Sequence, residues 1–141
     1  MTTRRELLFA LGVGTLAAPL ASFAQQQPAK VARIGFLGPA SASGYASRVE
    51  ALREGLRDFG YVEGKNIVIE YRWAEGKYER LPELAAELVR LKVDVLVTSG
   101  TPDTLAAKRA TTTIPIVMAV TGDAVSSGII ASLARPGGNI T

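Results

Sequence analysis

At 141 residues, 48% hydrophobic and 21% charged, the chain has the make-up of one globular domain of ordinary size. Its 16 Lys+Arg against 13 Asp+Glu give +3, spread along the sequence, which is too weak and diffuse for a nucleic-acid footprint. With no Cys and no His it excludes Cys/His zinc, thiol nucleophiles, disulfides, a lipid-modified Cys anchor and a Ser-His-Asp triad, and 6% aromatic content is too little for a base-stacking platform.

Residues 1–24 read as an export signal. Arg4-Arg5 precedes an uncharged apolar run from Leu7, and Ser22-Phe23-Ala24 puts small residues at −3 and −1 of a cut before Gln25. Thr3-Arg4-Arg5-Glu6-Leu7-Leu8 is also similar to a twin-arginine signal, so the sequence leaves two export routes open. An uncleaved anchor is the bland alternative, but Pro19 and Ser22 interrupt a run that is short for a span. Gly12-Val13-Gly14-Thr15-Leu16-Ala17 fits a dinucleotide pattern only formally, because no strand precedes it. Removing 1–24 takes out two Arg and one Glu and leaves +2.

Residues 25–30 form a polar linker. Val31 to Gly38 is short, mostly apolar and closed by Gly38-Pro39, as a strand would be. Val49, Leu52, Leu56 and Phe59 recur at helical spacing, which predicts an amphipathic helix over about 45–59, stopped by Gly60. Asn66 to Trp73 alternates, with Ile67, Ile69 and Tyr71 facing one way and Glu70 and Arg72 the other, so this strand belongs at or near a sheet edge. A second helix covers about 78–91, with Leu81, Leu84, Ala85, Leu88 and Leu91 inward and Pro82 in its first turn. Val93 to Thr98 reads as a central strand buried on both faces, with Asp94 at its solvated entry. Thr101 is placed as N-cap of a third helix, Pro102 as its first residue, and Asp103 at the positive end of its dipole. Ile114 to Val120 is the fourth strand, and Asp123 is placed at the start of a short helix reaching about Leu133.

Strands alternating with helices imply an α/β fold, a doubly wound parallel sheet. In such sheets ligands sit beyond the carboxyl ends of the strands, at the switch point. That rule selects the loops 38–44, 98–104 and 121–123, which are rich in small and hydroxylic residues. Ser41, Ser43, Ser99, Gly100, Thr101 and Thr121 are the candidate ligand contacts, because hydroxyls and free N–H groups suit a carboxylate and small residues let it approach the backbone. Ser99 and Thr101 also serve a purely capping reading. Asp123 is read either as partner of a ligand ammonium or as a cap, and Tyr45 either as a stacking surface or as cover for the first turn. Trp73 is read as packing, away from the crevice. The loops bring no Lys or Arg together, which argues against a highly charged phosphate ligand, and no paired carboxylates suggest a hydrolase.

Several blocks in order carry a resemblance: Ile34-Gly35-Phe36-Leu37, then Leu52-Arg53-Glu54-Gly55-Leu56-Arg57-Asp58-Phe59-Gly60-Tyr61-Val62-Glu63-Gly64-Lys65-Asn66. Tyr71-Arg72-Trp73-Ala74-Glu75-Gly76, Val93-Asp94-Val95-Leu96-Val97-Thr98 and Ser132-Leu133-Ala134-Arg135-Pro136-Gly137-Gly138-Asn139-Ile140-Thr141 follow. Together they resemble ABC-transporter substrate-binding proteins of the tryptophan/tyrosine transport type. The resemblance implies one lobe of a two-lobed, periplasmic-binding-protein-like fold that closes on a small organic solute such as an amino acid and docks on a membrane permease. It implies a periplasmic or extracytoplasmic location, with 31–133 as first lobe and 134–141 as the start of a crossover to a second. No enzyme activity, cofactor, metal or nucleic-acid partner is expected. The competing readings are a ligand-sensing lobe of a receptor and a flavodoxin-like enzyme domain, the latter without a cofactor fingerprint in Gly38 to Gly44.

Overall fold

The computed structural model describes residues 30–141; the signal reading of 1–24 and all but the last residue of the linker lie outside the described residues. Four strands, β1 (Ala32–Gly38), β2 (Ile67–Trp73), β3 (Val95–Thr98) and β4 (Ile116–Met118), pair in the order β2-β1-β3-β4, all parallel. Three α-helices connect them: α1 (Ala46–Asp58), α2 (Leu81–Arg90) and α3 (Thr101–Ala110). This is the expected doubly wound sheet, with β2 at an edge and β3 inside. None of the described helices is long and apolar enough to cross a membrane.

The strands leave β1 in two directions, and the helices follow. α1 joins β1 to β2 and packs Val49, Leu52 and Leu56 against Phe36, Ile67, Ile69 and Val97 on one face. α2 and α3, which serve the connections running the other way, bury Leu81, Leu84, Ala85, Leu88, Ala106 and Ala107 against Leu37, Leu96 and Ile116 on the opposite face. Each leucine removed from water here contributes about 1.5–3 kcal/mol. The alternation in β2 works as read: Ile67, Ile69 and Tyr71 face α1, while Arg72 on the other side pairs with Glu87 of α2 at 2.7 Å.

Phe59 departs from its expected inward stripe and is 84% exposed. The helix ends one residue before it, where Gly60 N–H bonds Arg57 O at 2.9 Å and Tyr61 N–H bonds Leu56 O at 2.9 Å, so Phe59 has left the helical register. Asp94 lies at the solvated entry of β3, as read, where it accepts the Arg33 N–H at 2.8 Å and pairs with Lys30.

Three expectations need correction. Thr101 is not the N-cap: Gly100 holds that position, Thr101 is the first helical residue and Pro102 the second rather than the first. The fourth strand covers only Ile116–Met118 of the expected 114–120. No helix follows Asp123; residues 124–128 are a string of turns. Asp123 Oδ1 accepts the N–H groups of Val125 and Ser126 at 3.0 Å each, and Ser127 Oγ donates to Asp123 O at 2.6 Å, so short polar side chains take up the local backbone groups. Gly128 then turns left-handed at φ +72, which ends the segment after one turn.

The chain closes on the sheet once more. Asn139–Thr141 run parallel beside β4, with Ile116 N–H on Asn139 O at 2.7 Å, Met118 N–H on Thr141 O at 2.8 Å and Thr141 N–H on Ile116 O at 2.9 Å. Ile140 is buried there with Ile129 and Ile130.

Candidate functional site

Since β1 leads to β2 on one side and β3 to β4 on the other, the loops after β1 and β3 diverge and leave a crevice at their carboxyl ends. Hydrogen bonds tie three loops together along this rim. Tyr45 Oη donates to Ser99 O at 3.3 Å, which joins the β1 loop to the β3 loop. Thr101 Oγ1 lies 3.3 Å from Thr121 Oγ1 and accepts the Gly122 N–H at 3.2 Å, which joins the β3 loop to the β4 loop. Ser41 and Ser43 sit at the open end, their Oγ atoms 3.1 Å apart, with Gly44 N–H donating to Ser41 Oγ at 3.2 Å.

The structure thus brings Ser41, Ser43, Tyr45, Ser99, Gly100, Thr101 and Thr121 to one end of the sheet. It does not enclose them in one hollow. A cavity of about 290 Å³ takes in Ser99, and another of about 370 Å³ lies beside Ala42, Tyr71 and Trp73; neither is lined by Ser41, Thr101 or Thr121. Asp123 turns into its own segment. The Ser126 backbone and hydroxyl and the Val125 N–H hold its carboxyl below the usual range, which is the capping role, exercised on a turn rather than on a helix.

Asp103 has a larger structural part than the dipole reading gave it. It is fully buried at the third position of α3 and reaches back to accept the Ser99 N–H on Oδ2 at 2.6 Å. Burial pushes its carboxyl up to about 6, against the N–H groups of Ser99, Asp103, Thr104 and Gly100. Thr104 Oγ1 completes the anchor, 2.7 Å from Thr98 Oγ1 and donating to Gly100 O at 2.6 Å. Ser99 Oγ and Asp103 Oδ1 are buried without hydrogen-bond partners among the described residues. An acid three residues into a helix that begins at Gly100-Thr101-Pro102 was the signal available for this anchor.

Trp73 packs, as expected, but beside the crevice rather than away from it. Parallel register sets it next to Gly38, and its ring lies 5.2 Å from Phe36 and 5.6 Å from Tyr45. The Arg48 guanidinium lies 4.9 Å from the Tyr45 ring centre, so that ring is engaged within the fold. The indole covers Gly38 closely: a Cβ there would stand 2.3 Å from Trp73 Cζ3. Gly38→Ala is expected to swing the indole away, cost about 1–3 kcal/mol, and red-shift the emission of the chain's one tryptophan. An unchanged emission maximum in a folded variant would contradict this packing.

A model of the family described as ABC transporter substrate binding protein matches residues 33–141. A curated relative, the "Tyrosine-binding protein" of Clostridioides difficile (strain R20291), is 37% identical over 86 residues, which is 61% of this chain and 25% of the relative. A conserved domain protein of Vibrio cholerae is 33% identical with a TM-score of 0.75, over 79% of this chain and 38% of that one. An ABC domain from Streptococcus pneumonia, solved in complex with L-Trp, is 27% identical with a TM-score of 0.72, over 78% of this chain and 37% of that one. The chain spans a quarter of the curated relative and under two fifths of these solved structures. With the family match running through all four strands and every rim loop, the chain belongs to the ABC transporter substrate-binding protein family.

Proposed function

We propose that this chain is the first of two α/β lobes of an extracytoplasmic receptor, which binds an amino acid between the lobes and delivers it to the membrane permease of an ABC importer. Residues 1–24 serve as the cleaved export signal, and 134–141 lead towards the second lobe after pairing on β4. The observation that carries the reading is the joining of the loops after β1, β3 and β4 at the switch point, through Tyr45 to Ser99 and Thr101 to Thr121. The rim loops offer hydroxyls and backbone N–H groups without Lys or Arg, which suits a carboxylate held by hydrogen bonds better than a phosphate. The names of two relatives, one tyrosine-binding and one solved with L-Trp, support an aromatic amino acid. The family membership favours binding over catalysis.

A single lobe cannot enclose about 70–90% of a ligand's surface as a closed pocket does. Isothermal titration of L-tyrosine and L-tryptophan is therefore expected to give no micromolar binding to the 141-residue chain and micromolar binding to a polypeptide that carries both lobes. Micromolar affinity of the short chain would overturn the two-lobe reading. In the longer polypeptide, Ser99→Ala and Thr101→Ala are each expected to weaken binding by about 3–10-fold, the worth of one hydrogen bond. Unchanged affinity in both would remove the rim from the site.

A further inference from the structure

Charges that lie scattered along the sequence gather at one end of the fold. Because all four strands are parallel, every strand begins, and every connecting helix ends, at the end of the sheet opposite the rim. The segments that meet there are residues 30–33, 57–66, 90–94 and 108–115. They carry eight Lys and Arg against three Asp and Glu, while the other described residues carry six against nine. Two of those three acids are already engaged, Glu63 by Arg53 at 2.6 Å and Asp94 by Lys30. Arg57, Arg90 and Arg109 stand in last helical turns, where the dipole accounts for them. The dipole does not account for Lys30 or Lys65, which stand two residues ahead of β1 and β2, strands that pair from Ala32 and Ile67 onward. Lys92 stands at the entry of β3, the strand on the other side of β1. Three neighbouring strands are thus each entered from an exposed lysine.

The same end presents aromatic rings to water. Phe59 is 84% exposed and Tyr61 46%. Slack backbone is not the cause. Gly60 O accepts Asn66 Nδ2 at 2.8 Å, and the Val62 N–H donates to Asn66 Oδ1 at 2.7 Å, so the loop that carries the rings is pinned across its base. Exposed rings on a pinned turn, set among lysines and arginines, match the chemistry of a bilayer surface: rings enter the headgroup layer while cations meet lipid phosphates. Two rings on one turn make a point of insertion, not a series of stacking platforms along a nucleic-acid strand.

The polypeptide leading into β1 joins the fold at this end. Residues 25–30 span at most about 20 Å, so while 1–24 are held in a membrane this end, and not the rim, lies next to it.

We propose that the strand-entry end of the sheet is a docking surface for anionic phospholipid, with Phe59 and Tyr61 inserted among the headgroups and Lys30, Lys65 and Lys92 on the phosphates. The rim then faces away from the bilayer. The proposal rests on the export part of the receptor reading and on no solute.

The absence of native cysteine allows an environment-sensitive fluorophore to be placed on Phe59→Cys, or on Lys77→Cys just beyond the far end of β2. Each labelled chain, as recovered after export, would be mixed with vesicles of phosphatidylcholine containing about 30% phosphatidylglycerol, or of phosphatidylcholine alone. The label at 59 is expected to shift to the blue and brighten about threefold on the anionic vesicles only, and to lose most of that change between about 50 mM and about 500 mM salt. The label at 77 is expected not to respond. Lys65→Glu with Lys92→Glu, in a chain whose Trp73 emission is that of the parent, is expected to weaken vesicle binding at least tenfold, on the basis of about fivefold per charge at a membrane surface. Equal responses at 59 and 77 would overturn the proposal, as would equal binding to neutral vesicles, indifference to salt, or no effect of the charge reversals. So would a single-stranded DNA that displaces the chain from the vesicles and binds it more tightly than they do, which would make this a nucleic-acid surface. Vesicle binding by a polypeptide that carries both lobes but takes no L-tyrosine would defeat the receptor reading and leave this surface standing; tyrosine binding without vesicle binding would do the reverse.

Discussion

Leu96→Ala is expected to lower the free energy of unfolding by about 2–5 kcal/mol, the range for emptying a well-packed core site. Leu96 is fully buried in β3, between two neighbouring strands and beneath α2 and α3. Its packing is tight enough that a Cβ on Gly35 of the adjacent strand would stand 2.9 Å from Leu96 Cδ2, with Leu88 Cδ2 and Val93 Cγ2 each at 3.2 Å. Those neighbours are fixed by the sheet and by α2, so they cannot collapse far into the space left. A domain of this kind has about 5–15 kcal/mol in total, so the variant sits close to its unfolding threshold. Urea denaturation followed by Trp73 emission measures the change. Phe59→Ala is the contrast: an 84% exposed ring should shift stability by no more than about 0.5 kcal/mol. Similar losses in the two variants would contradict the assignment of the core.

Asp103→Asn is expected to stabilise the chain at neutral pH and to leave it unchanged in acid. The Asp103 carboxyl rises to about 6 from its ordinary 3.8, chiefly through burial. Between those values the folded chain keeps a proton that the unfolded chain has released. Stability therefore falls as pH climbs through this window, by about 3 kcal/mol for a shift of this size, and is highest where both states are protonated. Asparagine keeps a carbonyl oxygen for the Ser99 N–H and does not ionise. The gap between variant and parent should open from near zero at about pH 3 to about 3 kcal/mol at pH 7. Asp94 is pulled below its ordinary value by Lys30 and the Arg33 N–H, Glu50 by Arg57, and Asp123 by the Ser126 and Val125 groups. Their contributions are lost at the acid end and are common to both proteins. Urea titrations at several pH values give the comparison, and a gap that stays constant with pH would refute a buried ionisable Asp103.

The fold was legible wherever side-chain periodicity and burial agree. Leu81, Leu84, Ala85 and Leu88 mark one face of α2 by spacing alone, and the unbroken apolar run after Asp94 marks β3 as interior. A capping residue alone misled where local polar chemistry competes with the helix. Asp123 has the residue type of a helix start, but Ser126, Ser127 and Gly128 offer the backbone other partners and a left-handed turn. Thr101 looked like a cap by residue type, yet its hydroxyl is engaged across the rim by Thr121 and Gly122. The switch-point rule placed the rim loops from the alternation of strands and helices. It could not show that Trp73 borders them, because that depends on the register of β1 with β2, which no single strand encodes. Asp103 escaped for a related reason: its reach to Ser99 is local, but its burial comes from elements distant in sequence.

The pairing of Asn139–Thr141 with β4 bears on how this polypeptide can be cut. Asn139 Nδ2 also donates to Ile114 O at 2.7 Å and to Thr111 O at 3.3 Å, so it clips the entry to β4 as well as bonding along it. A fragment trimmed at position 133 would strip β4 of these bonds and uncover a row of unpaired amides beside Ile116. Such a naked border invites strand addition from neighbouring molecules, and clumping at high concentration. Any shortened version meant to stay dispersed should therefore retain the final Asn-Ile-Thr.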